Sequence, residues 1–149
     1  MKWLYSALLV AALGVFGCAH AHRHHPVHPA YLHALSDLRH ARAHLEAPAG
    51  NSATAWDQSV AIRELDAAIR ELKEAAIDDG KNLDEHPPVD AKMDWPGRLH
   101  RSVELMRSAR ADCQREEDNG YAREYRARAV HHIDAAIDFV EQGIAANHW

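Results

Sequence analysis

Eight of the thirteen histidines fall between residues 20 and 44: His20, His22, His24, His25, His28, His33, His40 and His44. Imidazole titrates near neutral pH and ligates borderline divalent metals, so the tract reads first as a candidate metal-binding segment. A cut after Ala21 leaves a chain that begins His22-Arg23-His24-His25 and reaches His28 three residues later. A free amine, two backbone amides and a third-position imidazole wrap Cu(II) or Ni(II) in the square plane those ions favour. A first-residue His also clamps copper with its own amine. Without that amine, His22, His24, His25 and His28 still form a His-rich tether of the kind that takes up Cu, Ni or Zn loosely. The competing reading is a solvated linker with no ligand.

A second set lies further on. His33, Asp37, His40 and His44 recur at i, i+4, i+7 and i+11, the spacing of one helix face. Neighbours on that stripe have the spacing of a chelate. Helical phasing sets the stripe opposite the apolar residues, so it is expected to face solvent, as are His131 and His132. Other chemistries lack their residues. A carboxylate-bridged two-metal bundle needs inward Glu-x-x-His pairs, and the nearest match, Asp37-x-x-His40, has no counterpart later in the chain. There is no Cys-x-x-Cys-His, phosphate-binding glycine loop or Gly-x-Ser-x-Gly. The acidic stretch 78–90 does not follow a calcium loop's ligand pattern. The expectation is a protein that is not an enzyme and has no obligatory cofactor, with Cu, Ni or Zn as the ions of the metal-binding alternative.

The first residues bear on where this chemistry takes place. Lys2 precedes an uncharged apolar run, Leu4 to Phe16, that is shorter than the roughly 20 residues of a membrane span, so residues 1–21 read as a signal peptide. Ala19-His20-Ala21 supplies a small-x-small cleavage site. Alternatively, Val15-Phe16-Gly17-Cys18 resembles a bacterial lipobox, and Cys18 becomes the lipidated first residue. Either reading predicts export to the periplasm or beyond, with membrane contact only through a lipid on Cys18. Cys113 is then the one thiol left, with no intramolecular disulfide open to it. It is expected to be a small buried side chain. Net charge is −5, and loss of residues 1–21 removes Lys2 and no acid, giving −6. That balance disfavours nucleic acid and a polybasic membrane contact.

The elements that must position these groups repeat. At an offset of 68, Leu35, Leu38, Arg39, Ala41, Arg42 and Ala43 meet Val103, Met106, Arg107, Ala109, Arg110 and Ala111. The same offset sets Ala61, Asp66, Ala67, Ala68 and Ile69 on Ala129, Asp134, Ala135, Ala136 and Ile137, and no gap is needed between the two segments. The apolar spacing predicts helices over about 29–46, 55–79, 98–117 and 121–146. Thr54 with Asp57 reads as a capping box, and Asn119 as a cap. The predicted fold is all-α: an antiparallel four-helix bundle of two tandem hairpins, 29–79 and 98–146, joined by a link over 80–97 and preceded by the 22–28 tether. Trp56, Trp95 and Trp149 are expected to gather at one end.

Arg42 and Arg110 fall within the apolar stripes at equivalent places. A buried guanidinium is costly unless paired, so ion pairs with Asp66 and Asp134 are expected, with Arg39 and Arg107 as alternative donors. Residues 28–39, HPAYLHALSDLR, together with 75–82, AAIDDGKN, and 86–90, HPPVD, resemble a group of small exported bacterial helical proteins with no assigned activity. The resemblance implies a helical fold and carries no catalytic residues. The leading functional expectation is a non-catalytic envelope protein, an interaction or stress module with an unidentified protein partner or a second copy of itself. Periplasmic metal binding through the His-rich N-terminus is the alternative.

Overall fold

The computed structural model describes residues 29–47, 56–75, 81–115 and 120–149. The expected signal peptide, Cys18 and the tether ligands His22, His24, His25 and His28 lie outside them. The described residues form four helices and no strand: α1 Pro29–Glu46, α2 Ser59–Ala75, α3 Trp95–Arg115 and α4 Gly120–Ala146. None is long and apolar enough to cross a membrane.

Local chemistry sets the helix ends. Pro29 opens α1 at the position where its missing N–H removes no bond. Residues 56–58 are not helical, so α2 starts later than residue 55, and Asp57 caps it; Thr54 and Asn119, the other expected caps, lie outside the described residues. Asp57 Oδ1 accepts from the Ser59 amide at 2.9 Å, and these Ser59 hydrogen bonds hold the Asp57 carboxyl below its ordinary pKa. Helix α3 starts three residues before the expected Arg98 because Asp94 caps it. Asp94 Oδ1 accepts from the Gly97 amide at 2.9 Å, and the Asp94 carbonyl accepts from the Arg98 amide at 3.0 Å. Pro96 is tolerated there because the first turn's N–H groups have no helical partner.

At the end of α4 the Trp149 amide donates to the Ile144 carbonyl at 3.1 Å and the His148 amide to the Ala145 carbonyl at 3.2 Å. This hydrogen-bond pattern turns the chain back at a residue in the left-handed region, here His148 with φ 55°. The reversal packs Trp149 on the core, and Trp56 and Trp95 belong to the same assembly of side chains.

Helix α2 packs chiefly on α4 and α1 chiefly on α3, with lighter contacts between α3 and α4 and between α1 and α2. Among the described residues α1 does not reach α4, nor α2 reach α3. The helices share one core, in which Leu38, Ile69, Met106 and Ile137 are 0%, 1%, 0% and 8% exposed. Full burial of such a side chain contributes about 1.5–3 kcal/mol. The Cys113 side chain is buried at 0% exposure within this core.

Candidate metal centre

Helix α1 has a neighbour on each side, so it buries much more than one stripe. Arg39, Ala43 and His44 are buried together with Leu35, Leu38 and Leu45. That corrects the expected solvent-facing stripe: His44 is only 2% exposed and His40 is half-buried. Phasing on the largest apolar residues located the face toward one neighbour and overlooked the second.

The stripe divides into two groups. Near the start of α1, His33 and Asp37 stand one turn apart and meet Asp112 from the last turns of α3. His33 Nδ1 lies 4.0 Å from Asp37 Oδ2 and is hydrogen-bonded to Asp112 Oδ2. The ligand atoms of all three residues lie within 4.8 Å of one another. Exposure of the side chains falls steeply across the cluster, from 62% at His33 to 15% at Asp37 and 1% at Asp112. Arg115 Nη2 donates to Asp112 Oδ1, which gives the buried carboxylate a second partner. One nitrogen and two carboxylate oxygens are a donor set for Zn(II), Ni(II) or Cu(II), with solvent on the His33 side to complete the coordination.

Asp112 is the residue sequence reasoning missed. The signal was available: position 112 continues the inward spacing of Met106 and Ala109, so an acid there stands in an apolar register.

At the far end of α1, His40 and His44 form the second group, with ring centroids 4.7 Å apart. Nε2 of His40 and Nδ1 of His44 are buried and have no hydrogen-bond partner. Burial, followed by the fields of His40, Arg101, Arg98 and His86, pushes the His44 pKa down to about 4. Burial also lowers that of His40, helped by Arg101 and His86 and opposed by Asp37.

Arg42 and Arg110 each reach across to the helix that follows in the chain, α2 and α4 respectively. Arg42 Nε donates to Asp66 Oδ1 at 2.6 Å, and Arg110 Nε to Asp134 Oδ1 at 2.5 Å. Arg42 also bonds Glu46. The deepest guanidinium is neither of these: Arg39 is 1% exposed, whereas Arg107 reaches out of the core to donate to Glu141 at 2.5 Å. His131 is exposed, but the neighbouring His132 is half-buried, and its Nδ1 lies 2.6 Å from Glu64 Oε2. Arg128 Nε donates to Glu71 at 2.9 Å on the same α2–α4 seam.

Compared with known protein families, with curated proteins and with solved structures, the chain finds no match.

Proposed function

We propose that this chain is an exported, non-catalytic four-helix bundle that binds a divalent transition metal at His33, Asp37 and Asp112. The meeting of those three ligands across the α1–α3 seam carries the reading. The His-rich residues 22–28 lie immediately before α1 in the sequence and supply imidazoles that can capture the ion or add to its coordination. Cu(II), Ni(II) and Zn(II) suit this mixed donor set. Ligation through Asp112 Oδ2 replaces its hydrogen bond to His33 and leaves Arg115 on Oδ1.

The scaffold, in this reading, is a pair of antiparallel hairpins copied from one ancestor and related by a twofold. Equivalent helices form the most extensive seams, as in a symmetric dimer. His132 touches Glu64, and the two positions differ by the repeat offset, 132 − 64 = 68. A residue meeting its own counterpart is what a twofold axis requires. The Arg42–Asp66 and Arg110–Asp134 pairs occupy matching places, each with a separation of 24 residues.

Export follows from the N-terminal residues, and kinship with small exported bacterial helical proteins from the stretches quoted above. A role as a partner-binding or envelope-stress module has less support. Among the described residues the exposed large apolar side chains are Leu32 and Tyr121, a small area for a protein partner.

The reading is tested by titrating Zn(II), Ni(II) and Cu(II) into the chain that starts at His22, into its Asp112→Asn variant and into a chain lacking residues 22–28. Calorimetry is expected to give one site that Asp112→Asn abolishes and the deletion weakens. Binding untouched by Asp112→Asn, or lost entirely with residues 22–28, would refute it.

A further inference from the structure

The two ends of the α1–α3 seam differ in sign. At the His33 end the buried group is a carboxylate. At the other end it is His44, and the charged or titratable groups acting on it are His40 from its own helix, Arg98 and Arg101 from α3, and His86 from the link. Arg101 also donates to Glu104 at 2.8 Å, and the Asp37 carboxylate acts on His40 with the opposite sign. His44 Nδ1 is buried without a partner in a side chain 2% exposed, and His40 Nε2 is buried without one beside it. His86 Nδ1 is engaged by the Pro87 carbonyl at 2.8 Å, which directs its ring and leaves Nε2 for another contact.

A divalent cation placed here would add positive charge to the field of two guanidiniums. An oxyanion would do the reverse: its oxygens accept from guanidinium and imidazole N–H groups, and its charge cancels the field. We propose that His40, His44, Arg98 and Arg101, with His86 at the rim, form a binding site for a small tetrahedral oxyanion, a sulfate or phosphate group. The repeat places His44 opposite Asp112 (44 + 68 = 112) and Arg101 opposite His33 (33 + 68 = 101). Only that comparison of the two ends rests on the duplication described above. The oxyanion site depends neither on it nor on metal at His33.

Binding here takes up a proton. An anion beside His44 stabilises its imidazolium, so the pKa rises and affinity grows as pH falls. Metal ligation would show the opposite trend, because protons compete with the ion.

Sulfate is the appropriate probe, since it does not titrate between pH 4 and 7. The His40 and His44 ring resonances are followed by NMR against pH in sodium sulfate and in sodium chloride of equal ionic strength, with calorimetry of sulfate binding alongside. The expected result is a saturable rise of the His44 pKa by one unit or more in sulfate. Affinity is expected to tighten by up to about tenfold per pH unit on going from pH 6 toward 4.5, the limit for one coupled proton. Arg98→Gln with Arg101→Gln, checked for native helicity by circular dichroism, is expected to abolish the shift. If that pair unfolds, Arg101→Gln alone, at an exposed position, must weaken binding at least threefold. The same His44 titration in both salts, a shift that survives loss of the arginines, or Zn(II) perturbing these rings where sulfate does not, would overturn the proposal.

Discussion

Gly143 lies on the buried side of α4, under the ring of Trp56. A Cβ built at Gly143 would meet Trp56 Cδ2 at 2.5 Å, Cε2 at 2.7 Å and Cγ at 2.9 Å. Carbon atoms in favourable contact sit about 3.5–4.0 Å apart, so Ala overlaps three atoms of a rigid ring by close to an ångström. Forcing a methyl into such a contact costs about 1–3 kcal/mol. Replacing Gly in a helix interior returns about 1 kcal/mol. Gly143→Ala is therefore expected to lie between neutral and about 2 kcal/mol destabilising in the native background. With Trp56→Ala the overlap is gone, and the same change is expected to stabilise by about 1 kcal/mol. Urea unfolding of the four variants gives a double-mutant cycle whose coupling is the overlap itself, about 1–3 kcal/mol. Equal stabilisation by Gly143→Ala in both backgrounds would show that the indole does not rest on α4 at this point.

The twin ion pairs differ in burial, with side-chain exposures of 13% and 23% at Arg42–Asp66 against 40% and 43% at Arg110–Asp134. Asp66→Ala is thus expected to cost about 1–2 kcal/mol in urea unfolding and Asp134→Ala below about 1, because solvent screens the outer pair; equal losses would contradict this. His44 has a folded pKa of about 4 against 6.5 for the ordinary group, so the unfolded chain binds the extra proton between those values. Its contribution is complete above pH 6.5 and is lost on going down to pH 4, by about 1.4 kcal/mol per pH unit, and His44→Gln is expected to flatten that dependence in urea midpoints. His148 occupies the left-handed region at φ 55°, so His148→Gly is expected to raise stability by roughly 0.5–1 kcal/mol in thermal or urea melts. Cys113, at 0% exposure, is expected to react with a thiol reagent only as fast as the fold opens, and rapid labelling of native protein would place it outside the core.

Periodicity made the helices legible, and side-chain detail made their ends partly so. Pro29, Leu38, Ile69, Met106 and Ile137 announce helix and core through composition and 3-and-4 spacing, which is local information. The α2 and α3 starts were misplaced because Asp57 and Asp94 cap through hydrogen bonds that an isolated sequence ranks no higher than its other Ser, Thr and Asp candidates. The candidate site was half visible. His33 and Asp37 are neighbours on one helix, so their spacing discloses them. Asp112 joins them only across the seam, 79 positions from His33. His44 was assigned to solvent because phasing a helix on its largest apolar residues finds one packed face, and α1 is packed on two. The same reasoning favoured Arg42 as the buried guanidinium, whereas Arg39 is the one enclosed between neighbours.

The claim that a metal ion sits between α1 and α3 is tested most directly by paramagnetic broadening. Substoichiometric Cu(II) is added to isotopically labelled protein that starts at His22, and the amide spectrum records which residues disappear. The account predicts loss of signals around His33 and Asp37 on α1 and around Asp112 on α3, with the middle of α2 untouched. Broadening confined to residues before Pro29, with Asp112 and its neighbours sharp, would contradict it.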